Sequence, residues 1–299
     1  MKWRGKRQSS NVEDRRGASG SGRGFGKLNP TIISSLLRVL FSKTGLIIVG
    51  LFLIFSFVTG NNPLRLLGDM LGGSSSQTAT TQPYQGSSRE NELADFSATI
   101  LASTEDVWNK LINNYREPTL VLFTGSIASA CGSASSATGP FYCPGDEKLY
   151  LDLSFFDEME QQLHAPGDFA QAYVIAHEVG HHIQKIMGIT DKIQKLRSQL
   201  STAEYNKYSV RLELQADFLA GVWANHSQEM AHMMETGDLE EALNAANAIG
   251  DDRLQKQATG RVVPDSFTHG TSEQRIRWFK KGYDTGDLAQ GDTFNANPL

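Results

Sequence analysis

The chain has 299 residues, 39% of them hydrophobic and 20% charged, with a formal net charge of −5 at pH 7. That length suffices for one sizeable domain or two small ones, and that apolar fraction suffices for a core. The charge is lopsided: residues 1–60 hold ten Lys/Arg against two acids, leaving −13 on an acidic remainder that argues against nucleic acid as substrate.

The first expected segment is a basic head over residues 1–43, Gly/Ser/Arg-rich through Gly26 and largely disordered. Within it TIISSLLRVLF at 31–41 has the pattern of a short amphipathic helix at a membrane surface. Residues 44–60 follow as a transmembrane helix, because GLIIVGLFLIFSFVT at 45–59 carries no charge. The long head and the missing small-x-small cleavage site favour a retained anchor over a signal peptide. The Lys/Arg excess before it predicts a single-pass membrane protein, N-terminus cytoplasmic and C-terminal domain extracytoplasmic. Residues 61–90 read as a flexible Gly/Ser/Thr/Gln linker, and 91–299 as the folded domain.

In that domain Leu93, Phe96, Ile100 and Leu101 have helical spacing, and Ser103 reads as the N-cap of a next helix carrying Val107, Trp108, Leu111 and Ile112. TLVLFTG at 119–125 and KLYLDL at 148–153 read as strands, the second with Leu149, Leu151 and Leu153 on one face and with the prospect of an exposed edge for an extended peptide. Helix resumes near Phe155. A long helix covers about 168–187 and stops at Gly188. Another starts after Ser201, whose partner Glu204 completes a capping box. Asp238 with Glu241 and Thr271 with Gln274 start two more. The fold class is therefore α+β, helix-rich with a small sheet.

The chemistry is concentrated in YVIAHEVGHHIQ. His177 and His181, four apart on a helix, point the same way and can grip one zinc ion. Glu178 between them can take a proton from a water. His182, rotated about 100° from His181, is assigned packing or support rather than ligation. The third ligand is expected from RLELQADFLAGVWA, with Glu213 foremost and His226, His232, His269 and Asp217 as rivals. Asp217, one turn beyond Glu213, is placed to brace a ligand histidine. Cys131 and Cys143, the only cysteines, are expected to form a disulfide outside the cytoplasm.

These blocks resemble the bacterial family of neutral zinc metallopeptidases over nearly the whole length. The likeness rests on the basic head with its apolar segment, CGSASSATGPFYCPGDEKLYLDLSFF at 131–156, AHEVGHHIQ at 176–184, ELQADFLAGVWA at 213–224 and HGTSEQRIRWF at 269–279. The resemblance implies a membrane-anchored, zincin-like peptidase with one zinc per chain. ELQAD looks like the arrangement in which the Glu is the third ligand and the Asp braces a histidine, roles carried to Glu213 and Asp217. HGTSEQR is similar to a His-and-Arg pair of membrane-integral prenyl-peptide proteases. That likeness implies His269 as an oxyanion donor and Arg275 as a partner of Asp217 or of a substrate carboxylate. The expected substrate is a peptide or protein, and the expected membrane contact is through residues 44–60. The competing reading is a membrane-tethered binding or scaffold module with a structural or vestigial metal. A structural site needs a fourth protein ligand, which the sequence does not offer.

Overall fold

Period-two alternation builds the sheet on which the rest is laid. In the computed structural model, which describes residues 1–17, 84 and 86–299, four strands lie in the order β1–β2–β6–β5. They are β1 (Val12–Asp14), β2 (Thr119–Phe123), β5 (Phe141–Cys143) and β6 (Lys148–Asp152). β1, β2 and β6 run parallel, with Leu120 opposite Val12 and Leu149, and β5 runs antiparallel to β6. β3 (Ser126–Ser129) and β4 (Gly132–Ser135) form a separate hairpin.

Leu120, Leu122, Leu149 and Leu151 enter the main core, while Val121, Phe123, Tyr150 and Cys143 make a small second core with Ile127 and Phe141. The sheet is thus buried on both faces. KLYLDL is an inner strand. The sheet edge beside it belongs to β5, which corrects the expectation of an exposed edge at 148–153. Cys131, at the tip of the β3–β4 hairpin, is disulfide-bonded to Cys143 of β5, with Cα atoms 5.7 Å apart.

The helices are α1 (Ser88–Leu111), α2 (Ser154–Gln161), α3 (Asp168–Ile186), α4 (Ile189–Leu196), α5 (Thr202–Ala231), α6 (Asp238–Ala248), α7 (Asp251–Thr259) and α8 (Ser272–Thr285). The capping boxes read at Ser201/Glu204 and Thr271/Gln274 start α5 and α8. α1 instead starts three residues before the expected domain boundary, at a capping box of Ser87 and Glu90. Ser103 lies inside α1, because its hydroxyl accepts from the Trp223 indole N–H at 3.1 Å and serves tertiary packing. Glu241 caps α3, accepting from the Phe169 N–H at 3.0 Å. α5 packs on α3 and α8. Its crossing with α8 is made by Gly221 and Gly282, where a Cβ on either would come within 2.0 Å of the carbonyl oxygen of Phe279 or Phe218. The result is helix-rich with a small sheet, α+β.

The basic head departs most from expectation. Residues 1–17 are not a disordered arm: they fold onto the body as one unit with it. β1 pairs with β2, the Arg15 N–H donates to the Leu122 carbonyl at 2.8 Å, and the Ser9 N–H donates to the Ala98 carbonyl at 3.0 Å. Trp3 sits edge-on to Phe96 with ring centroids 5.3 Å apart. Its burial contributes roughly 2 kcal/mol relative to exposure. The head's positive charge is spent on the protein itself: Arg7 meets Glu105 and Asp106 at 2.9 and 2.7 Å, and Arg16 meets Asp14 at 2.6 Å.

This corrects the expected localisation. A single crossing by residues 44–60 would put residues 1–17 and the body on opposite sides of a membrane, yet they share a sheet. The 44–60 segment, the 31–41 helix and residues 61–83 of the linker lie outside the described residues. Among the described residues no helix is long and apolar enough to cross a membrane.

Candidate metal centre

α3 and α5 cross where a side chain would not fit. A Cβ on Gly180 would lie 3.0 Å from the Ala216 carbonyl oxygen and 3.1 Å from its Cα. The close approach brings Glu213 of α5 up to the two histidines of α3. One Glu213 oxygen is 3.2 Å from Nε2 of His177, and the other is 3.5 Å from Nε2 of His181. His177, His181 and Glu213 offer ligand atoms that all lie within 4.8 Å of one another.

The donor set suits a zinc ion, and the reason lies in the other ring nitrogens. His177 Nδ1 donates to Asp217 Oδ1 at 2.8 Å, which leaves its Nε2 lone pair facing Glu213. His181 Nδ1 donates to Gln184 Oε1 at 2.9 Å. Gln184 is fully buried and its amide orientation is fixed: its Nε2 donates to the Leu212 carbonyl at 2.6 Å and to Gln215 Oε1 at 3.2 Å. With Nδ1 the donor in each ring, Nε2 of the neutral imidazole is the nitrogen left to ligate a metal beside Glu213.

Asp217 is fully buried. Besides His177 it accepts from the Tyr173 hydroxyl and from Arg275, whose Nε reaches Oδ2 at 2.8 Å and whose Nη2 reaches Oδ1 at 2.9 Å. Burial works against its charge, but Arg275 and His177 outweigh it and hold the carboxyl at about 2. Burial likewise disfavours a charged His177, and Asp217 with Glu213 overcomes this and lifts it to about 10 in the metal-free protein. Arg275 is buried, so the Asp217 partnership is the one of its two expected pairings that the geometry provides.

Glu178 and His269 line an open cleft of about 400 Å³ beside these residues, together with Phe141, Tyr142, Val174 and Ile249. Burial raises the Glu178 carboxyl above its usual range. The neighbouring rings of His181 and His177 act in the other direction. His269 has a half-exposed side chain, its Nδ1 3.1 Å from Asp251 Oδ1. Asp251 also accepts from the backbone N–H of Thr268, His269 and Gly270 at 2.7, 2.6 and 3.1 Å. With Nδ1 so engaged, Nε2 of His269 is the free ring nitrogen at the cleft.

Of the rival ligands, His226 and His232 lie elsewhere. His226 is bonded to the Gly286 carbonyl at 2.9 Å, and His232 caps the C-terminus of α5. A second acidic group of Asp168, Asp238 and Glu241 lies at the start of α3 and α6, where the Met1 amino group meets Asp168 at 2.8 Å. Sequence reasoning missed Gln184, Tyr173 and Asp251. The first two were readable as lying on the ligand face of α3, three residues after His181 and four before His177. Asp251 is brought in by the fold alone.

No solved structure matches the chain. Over 298 residues it is 51% identical to the uncharacterized protein YpfJ of Escherichia coli strain K12, covering 98% of this chain and 99% of that one. Over 207 residues it is 42% identical to the uncharacterized proteins Mb2605 of Mycobacterium bovis and Rv2575 of Mycobacterium tuberculosis strain H37Rv, 66% of this chain and 69% of each relative. Residues 1–294 match the family described as "Putative neutral zinc metallopeptidase", and the chain belongs to that family.

Proposed function

We propose that this protein is a zinc-dependent peptidase with a zincin-like centre, hydrolysing peptide bonds in the cleft between α3 and β5. The observation that carries the reading is the convergence of His177, His181 and Glu213, with no fourth His, Cys, Asp or Glu joining them among the described residues. Three protein ligands leave a coordination position for substrate or water, whereas a purely structural zinc is closed by four. The family description supports the same chemistry.

A zinc ion held by His177, His181 and Glu213 supplies Lewis acidity, polarising a peptide carbonyl and making water acidic enough to attack near neutral pH. The chain's own residues supply the rest. Glu178, whose carboxyl is raised by burial, takes the proton from the attacking water and returns it to the departing amine. Asp217 and Gln184 hold the two imidazoles in the ligating tautomer. His269, as the imidazolium that Asp251 favours and orients, donates from Nε2 to the carbonyl oxygen as negative charge builds there. An extended substrate can lie along β5, the outer strand of the sheet.

The test uses the zinc-loaded full chain with Glu178→Gln. Zinc content and the thermal midpoint should match wild type while cleavage of a mixed peptide library disappears. Full cleavage by that variant would sink the assignment.

A further inference from the structure

His182 stands next to a ligand but serves a different partner. It is fully buried, and its Nε2 lies 2.6 Å from the Arg116 carbonyl oxygen. A carbonyl only accepts, so Nε2 carries the proton and Nδ1 is an acceptor. The Tyr142 hydroxyl, 3.0 Å from Nδ1, must then be the donor. For the neutral ring, the direction of both bonds follows from the Arg116 carbonyl.

Tyr142 is the middle residue of β5, a three-residue strand whose ladder partner among the described residues is β6. Its hydroxyl holds His182 of α3, and Tyr142 lines the same cleft as Glu178. Glu178 and His182 are four apart and so project on one side of α3. That side is about 100° round from the side of His177 and His181. α3 therefore turns its ligand side to α5 and an adjoining side, bearing the proposed base, to β5. The rings of Tyr142 and Tyr115 stand edge-on to His182, at 5.4 and 5.9 Å between centroids, and wall it in.

We propose that His182 is a positioning residue for the cleft at Glu178: through the Tyr142 hydroxyl it clamps β5 to α3, and so fixes the strand that walls the cleft opposite the Glu178 carboxylate. The proposal rests on the peptidase reading for the role of Glu178, but the clamp itself does not. A histidine that merely filled space could be replaced by a ring of similar size without consequence for β5 or for turnover.

The experiment compares full-length, zinc-loaded wild type with Tyr142→Phe, His182→Phe, the double variant and His182→Gln. Three quantities are read: zinc per chain, hydrogen exchange of the amides of residues 141–143, and kcat and KM for a peptide that wild type cleaves. Zinc content should be unchanged. Exchange in β5 should quicken in both single variants while β2 stays protected. The kcat should fall about 10–100-fold, the usual effect of losing an outer partner of a metal site, with KM little altered. Because the two residues act through one bond, the double variant should be no worse than the poorer single. His182→Gln, whose amide can both donate to Arg116 and accept from Tyr142, should recover much of the loss. Tyr142→Phe removes one oxygen and decides the matter even where His182→Phe does not fold. Unchanged exchange and kcat in Tyr142→Phe, or losses that multiply in the double variant, would overturn the proposal. Altered exchange in a protein that cleaves no peptide would support the clamp and count against the peptidase reading instead.

Discussion

Replacing Asp217 by alanine probes the centre and the fold together. In the native protein this carboxylate has no solvent exposure and takes hydrogen bonds from His177, Tyr173 and twice from Arg275. Its removal strands the Arg275 guanidinium, itself 2% exposed, without a counter-charge. Breaking one side of a buried ion pair costs about 3–5 kcal/mol. For a body of this size that corresponds to a fall in Tm of roughly 10 °C. Zinc affinity should drop about 10–100-fold as well, because nothing then holds His177 in the ligating tautomer. Thermal unfolding reads the first effect, and competition with a chromophoric chelator reads the second. The two separate in the double variant Asp217→Ala, Arg275→Met: without a stranded cation it should regain most of the Tm, while its zinc affinity stays low. Wild-type Tm and affinity in Asp217→Ala, or a double variant as unstable as the single, would refute the reasoning.

Gly180→Ala should force α3 and α5 apart by a few tenths of an ångström, since the clashing atoms belong to the Ala216 backbone. Overpacking of this kind costs about 1–3 kcal/mol, and zinc affinity should fall because Glu213 no longer reaches both rings; wild-type affinity would show that the separation is set elsewhere. Asp251 and His269 give a pH signature. Burial pushes Asp251 up, but bonds from His269 and the backbone hold it below its ordinary value, so its contribution is lost as pH falls through the folded value. Asp251 raises His269, with Glu213 helping and Arg275 opposing, so that contribution is present below about pH 6.5 and lost as pH rises through the folded value. The stability gap between wild type and Asp251→Asn should therefore be larger at pH 5 than at pH 9, by no more than about 1 kcal/mol for a half-exposed partner; an equal gap at both would contradict it. Reduction of the Cys131–Cys143 bond, 12 residues apart in sequence, should lower stability by about 3 kcal/mol in the chain-entropy model, read as a Tm difference with and without reductant.

The legible parts were those written locally. The helix bearing His177 and His181, the capping boxes at Ser201 and Thr271, and the alternation of Leu149 and Leu151 all depend on neighbours within a turn or a strand. Glu213 and Asp217 were legible because two acids in an apolar helix need partners. β1 was hidden because VED has no alternation and its partner lies over a hundred residues away. The basic residues suggested the cytoplasmic end of a membrane protein, whereas Arg7 pairs with Glu105 and Asp106 of the body and Arg16 with Asp14 of its own strand. Ser103 looked like a cap because a serine before an acidic residue has that pattern wherever it occurs. A bond to Trp223 is invisible to any short window. Asp251 and Arg116 act through a side chain and a carbonyl placed only by tertiary folding.

Gly17 and Tyr84 touch. A Cβ on Gly17 would lie 2.9 Å from the Tyr84 ring, and the Arg16 guanidinium stacks over that ring at 4.9 Å. Residues far apart in sequence thus meet at one spot of the folded body, and the sheet draws strands from both sides of that interval. Conventional N-terminal truncation at α1 would strip β1 from the sheet and leave the flank of β2 as an open template for aggregation. A truncation that keeps residues 1–17 joined to the body would retain the β1–β2 ladder.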